Sequence, residues 1–107
     1  HCFHAMALDE SRYNFPLHRL EPNPRLTETW FRGVHSDIGG GNGNVALSSI
    51  SLHWMFQKAQ ACGLNLDPAQ VEKNCLRMQP GAPVSIHKID SQIRRRHPLP
   101  EDLVLSV

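Results

Sequence analysis

The chain has 107 residues, 40% of them hydrophobic, with 7 glycines and 8 prolines, enough for at most one small domain with a modest core. Lys and Arg total 11 against 10 for Asp and Glu, so a net charge of +1 makes no case for a nucleic-acid or membrane surface built on bulk charge. The three cysteines, Cys2, Cys62 and Cys75, are odd in number and lack C-x-x-C spacing, which indicates neither a disulfide framework nor a zinc site and fits a reducing compartment.

The chain opens on His-Cys-Phe-His rather than Met, as if cut from a longer polypeptide. Residues 3 to 8, Phe-His-Ala-Met-Ala-Leu, form a short apolar run that stops at Asp9-Glu10; its length suits a buried strand, although its Ala and Met would also suit a helix. Pro16, Pro22 and Pro24, with Asn14 and Asn23, predict a connecting loop over 11 to 26. Thr27 to Val34 is rich in β-branched and aromatic residues and predicts a second strand, ending at a glycine loop. Ser48 and Ser49 are candidate N-caps of a helix that runs to Cys62, with Gly63 as a left-handed C-cap. Leu52, Met55, Phe56, Ala59 and Cys62 give that helix one apolar stripe. Asp67-Pro68-Ala69-Gln70 starts a second, shorter helix, with Asp67 as its cap. Residues 77–107 form a proline-punctuated C-terminal segment, with a turn of helix around Ser91 to Arg96.

Strand, long loop, strand, glycine loop, helix is the skeleton of an α/β fragment, of about two strands plus two or three helices. Ligand sites of open α/β sheets lie beyond the carboxyl ends of strands, and both Asp9 and His35 fall at such ends in this reading. His35 is the candidate general base, since imidazole is the side chain that exchanges protons most readily near neutrality. A loop histidine bonded to backbone is an equally good reading of its spacing. Asp9 is either the carboxylate that orients this imidazole or a turn carboxylate paired with Arg12. Asp37 is too close in sequence to face the same ring and is expected to brace the loop, which Gly39, Gly40 and Gly41 shape. Those glycines lack the Gly-Lys-Ser/Thr ending of a phosphate loop, and His1-x-x-His4 offers no credible ligand spacing, so no cofactor and no metal are expected. Arg94-Arg95-Arg96 has no interleaved aromatics and reads as a solvated face, so no nucleic-acid partner is expected. Trp30, Phe31, Trp54, Met55 and Phe56 are read most simply as core residues, some of which could equally wall an acyl pocket in an esterase.

His4 to Arg12 with Phe15-Pro16, the block Trp30-Phe31-Arg32-Gly33-Val34-His35-Ser36-Asp37-Ile38-Gly39-Gly40-Gly41, then Leu47 to Met55 and Ala59 to Leu64 resemble one family in matching order. It is the α/β-hydrolase domain family, largely uncharacterised, that includes the catalytic domains of type VI secretion phospholipase effectors. Ile86-His87 and Ser91 to Arg96, with Pro100 to Leu103, resemble its C-terminal end. Ser11 stands where the family often has Arg, and Asn42 where an aromatic commonly follows the glycines.

The resemblance implies the C-terminal part of an α/β-hydrolase sheet, residues 1–107, using Ser, Asp and His in that chain order, with His35 in the histidine role. The aspartate is then Asp9 or a residue upstream. The nucleophile elbow Gly-x-Ser-x-Gly is absent from these 107 residues, which are expected not to turn over substrate alone. An ester or lipid is the expected substrate of the complete protein. No apolar run approaches the roughly 18 residues of a transmembrane segment, and no signal peptide is visible. A cytoplasmic location is expected, with secretion as an effector in the parent. The competing expectation is a truncated, non-catalytic interaction domain, whose bare strand edges would favour self-association.

Overall fold

A computed structural model describes residues 1–43 and 45–75 of the chain. Strand β1 (Cys2–Ala7) pairs in parallel with β2 (Leu26–Phe31), in register from Cys2 opposite Leu26 to Ala7 opposite Phe31. Three helices follow: α1 (His35–Gly39), α2 (Ala46–Ala61) and α3 (Pro68–Cys75). This is the expected order of an α/β fragment: a small two-stranded parallel sheet with helices after it. The expected helical turn around Ser91 to Arg96 and the segment 77–107 lie outside the described residues.

Residues 8–25, which join the strands, contain no helix, and one carboxylate ties much of this connection to the sheet. Glu28 accepts Arg19 Nε at 2.7 Å and the Leu20 N–H at 3.1 Å, and pairs with His4 Nδ1 at 3.0 Å. Burial works to raise the Glu28 carboxyl. The Arg19 bond, the Leu20 N–H, the His4 bond and the Arg19 charge outweigh it and hold the carboxyl down at about 2. Further on, Asn23 Oδ1 accepts the Arg25 N–H at 3.0 Å, the local side-chain turn that brings the chain into β2.

The second strand is shorter than Thr27 to Val34. Regular strand geometry ends at Phe31 because Gly33 takes φ +118°, a left-handed conformation, even though its carbonyl still accepts an N–H from the segment after β1. A Cβ on Gly33 would also stand 2.6 Å from Asp37 Cβ, so the close approach of α1 requires glycine there.

Helix α2 begins at Ala46, ahead of the serines expected to cap it. Ser48 and Ser49 lie in its first turn, where their hydroxyls donate back to the Val45 carbonyl at 3.2 and 2.7 Å instead of accepting an N–H. Its other end behaves as expected. Gly63 has φ +92°, its N–H reaches Gln60 O at 3.0 Å, and the Leu64 N–H reaches Ala59 O at 3.0 Å, which closes a Schellman motif. The cap on α3 is also as expected, with Asp67 Oδ1 accepting the Ala69 N–H at 3.0 Å.

The buried face of α2 is rotated from the apolar stripe. Leu47 and Ser51 are buried, and Trp54 stands edge-on to Phe3 and Phe31 with ring centroids 6.2 and 5.4 Å away. Leu52 and Met55 remain 39% and 36% exposed, so Met55 is not a core residue. Trp54 thus makes edge-on contact with one phenyl ring from each strand, and it is this side of the helix, rather than Leu52 and Met55, that packs on the sheet. Met6, Val34 and Leu47 are the buried apolar residues among those described.

Candidate functional site

The carboxyl ends of β1 and β2 lie side by side because the strands are parallel and in register, so Leu8 to Glu10 and Arg32 to His35 meet at one rim. The Leu8 N–H bonds Phe31 O at 2.9 Å and the Asp9 N–H bonds Gly33 O at 3.0 Å, continuing the ladder past the strands. His35 lies just beyond this rim, as the first residue of α1 rather than on an open loop. Helical bonds explain the difference: the N–H groups of Asp37 and Ile38 reach Val34 O at 2.9 and 3.2 Å.

Asp37 is buried within this turn. Its Oδ2 accepts the Val34 N–H at 3.0 Å and its Oδ1 accepts Asn42 Nδ2 at 2.6 Å, which ties the start of α1 to the glycine segment beyond it. Gly39 ends α1, and Gly40 and Gly41 follow with φ +88° and +109°. Ser51 Oγ donates to Ile38 O at 2.7 Å and locks α1 against α2.

Asp9 and His35 share the rim but not a bond. Asp9 Oδ2 accepts Arg32 Nε at 2.8 Å and the Gly33 N–H at 2.7 Å. Arg12, weighed as a partner of Asp9, pairs instead with Glu10. Its Nε and N–H reach Glu10 Oε1 at 3.0 and 2.9 Å, and its Nη2 reaches Oε2 at 2.9 Å. The same Oε2 accepts the His35 N–H at 3.0 Å. Burial works to raise the Glu10 carboxyl, but the Arg12 side-chain and backbone bonds, the His35 N–H and the Arg12 charge hold it down at about 2.

The imidazole of His35 is exposed and packs at 5.3 Å, tilted by 59°, against the Phe15 ring. Phe15 in turn carries the Arg12 guanidinium 3.8 Å from its centroid. His35 and Glu10 line a cavity of about 740 Å³ that is otherwise largely apolar, with Phe15, Leu17, Leu52 and Met55 among its walls. An exposed imidazole at the mouth of an apolar cavity can exchange a proton with a group bound there. Among the described residues no group of three His, Cys, Asp or Glu could hold a metal ion, and no helix is long and apolar enough to cross a membrane.

Glu10, Gly33 and Phe15 were not singled out as site residues from the sequence. The alternation Glu10-x-Arg12 was a readable sign of a local ion pair, whereas the bond from Glu10 to the His35 main chain spans 25 residues and left no local sign.

The family model described as T6SS, Phospholipase effector Tle1-like, catalytic domain matches residues 1–58, which hold both strands, the rim and most of α2. Uncharacterized protein YEL023C of Saccharomyces cerevisiae is 34% identical over 58 residues, 50% of this chain. The matched stretch covers 8% of that relative. No solved structure matches.

Proposed function

The chain belongs to the family of Tle1-like phospholipase effector catalytic domains of type VI secretion, and from that premise we propose that it is the part of an ester hydrolase that supplies the proton-shuttling histidine, His35. The observation that carries this reading is the exposed imidazole of His35 beyond the carboxyl end of β2, on the wall of an apolar cavity and inside the family-matched stretch. On this reading residues 1–107 are the C-terminal part of an α/β-hydrolase domain, and a serine elsewhere in the intact polypeptide is the nucleophile.

His35 takes the serine proton as the hydroxyl oxygen attacks the ester carbonyl carbon. It returns that proton to the leaving alcohol as the acyl–oxygen bond breaks. Water then attacks the acyl-serine, giving its proton to His35 as the new carbon–oxygen bond forms. His35 protonates the serine oxygen as the acid departs. A phospholipid is the substrate class that fits the family and the apolar walls, and export as an effector is the corresponding destination. For Asp9, the bonds to Arg32 and the Gly33 N–H favour a structural role, and the acid that orients His35 then comes from another segment.

The test is ester hydrolysis by the intact protein with and without His35→Ala. Loss of a triad member costs about a thousand-fold or more in kcat, and activity within ten-fold of wild type sinks the assignment. A second reading, a non-catalytic interaction domain, draws on the half-exposed Ile50, Leu52 and Met55 of α2. It is favoured only if the intact protein hydrolyses no ester while Leu52→Asp abolishes an association that wild type makes.

A further inference from the structure

The assignment of His35 accounts for an imidazole at the rim, but not for what keeps its ring in one orientation. Asp9 is engaged elsewhere, and among the described residues no side-chain oxygen bonds the ring. What does hold it is a closed loop of contacts. Glu10 receives four donors, three from Arg12 and one from the His35 main chain, at 2.9 to 3.0 Å. That fork fixes the plane of the guanidinium, which lies 3.8 Å from the centroid of Phe15. Phe15 packs its ring on the imidazole, and the Phe15 N–H bonds Arg12 O at 3.1 Å, so the phenyl ring is itself held by a tight turn. The Glu10 side chain is only 6% exposed, whereas Phe15 is 41% exposed. An exposed phenyl group clamped between a cation and an imidazole contributes little to a core, and its geometry serves the ring beside it.

We propose that Glu10, Arg12 and Phe15 form a positioning circuit for His35, in which Glu10 anchors the main chain of the histidine and Phe15 sets the face of its ring. The inference rests on the reading of His35 as the proton shuttle. Arg12 neutralises Glu10, so the circuit orients the imidazole without bringing a net charge to it. A general base must lie within about 10–20° of its productive orientation, and a small misplacement costs up to about a hundred-fold in rate. These three are positioning residues, since none of them receives the transferred proton.

The experiment uses the intact protein, hydrolysis of p-nitrophenyl butyrate, and proton NMR of selectively labelled histidine. Phe15→Leu is expected to lower kcat about ten- to hundred-fold with KM within about three-fold, and Phe15→Tyr to restore it. Glu10→Gln should fall in the same range. The double variant should be hardly worse than either single one, because one circuit is being broken twice. In each impaired variant the His35 ring protons lose the displacement imposed by the Phe15 ring current. Ring protons that do not move in Phe15→Leu, or kcat within two-fold of wild type, overturn the proposal. Should Glu10→Gln fail to fold, Phe15→Leu decides alone. The histidine spectrum judges the circuit even if His35→Ala stays active, an outcome that would remove the catalytic reading and leave the packing of the ring to be confirmed or refuted.

Discussion

The rim of the sheet and the exposed apolar flank of α2, whose Leu52 and Met55 wall the same cavity, are built in opposite ways from the same short chain. At the rim, Asp9, Glu10 and Asp37 each accept two or more donors from main chain or side chain at 2.6 to 3.0 Å. On the flank, Ile50, Leu52 and Met55 stand 36 to 40% exposed, and their side chains take part in no directional bond. Directional bonds hold a geometry, while apolar surface only lowers the free energy of whatever comes to cover it. The region that fixes angles is the one that carries the candidate base.

That contrast can be broken most sharply at Gly33. Gly33→Ala forces a left-handed alanine and a Cβ 2.6 Å from Asp37 Cβ, so a loss of about 3 kcal/mol is expected on chemical denaturation of the intact protein. A loss under about 1 kcal/mol would mean that the rim can relax. Asp37→Ala comes next. It strands the buried Val34 N–H and the Asn42 amide, and about 2 kcal/mol should be lost, with Asp37→Asn intermediate.

The carboxylates that tie the connection between the strands to the sheet give a third test, read as acid sensitivity. Glu10 and Glu28 are both held down at about 2 from 4.5, so each adds stability above pH 4.5 and loses it as the pH falls toward 2. Glu28→Gln should therefore flatten the dependence of stability on pH between 4.5 and 2, at a cost of about 1 kcal/mol near neutrality. An unchanged acid profile would show that Glu28 is not a clamp. The smallest effect belongs to the flank, where Leu52→Ser should stay within about 0.5 kcal/mol. A loss above 2 kcal/mol there would mean that the intact protein buries this face.

Much of this architecture was legible because it is local. The first strand, expected at 3–8 and formed at 2–7, the proline-marked connection, the cap at Asp67 and the Schellman turn at Gly63 each depend on residues within a few positions of one another. His35 was legible too, since an apolar run that ends on histidine and glycines has a readable spacing. What misled was the choice among neighbours of similar chemistry. Asp9 and Glu10 are adjacent carboxylates, and only the turn that follows β1 sends one to Arg32 and the other to Arg12 and the His35 main chain. The rotation of α2 was hidden likewise, since counting apolar positions gives Trp54 the same weight as Leu52.

From the order of its residues alone, the chain determined two strands separated by a long connection, helices α2 and α3, and one imidazole just past a strand end. Propensities, caps and turn residues act over one or two turns of chain and need no partner from far away. Only the tertiary structure decided that Gly33 must admit α1, that Trp54 sets the roll of α2, and that Glu10 closes a circuit around His35. The last two outcomes depend on residues 23 or more positions apart meeting, whereas Gly33 and Asp37, four positions apart, meet only through the path the backbone takes between them; steric fit and hydrogen-bond direction are settled only when the chain has folded back on itself.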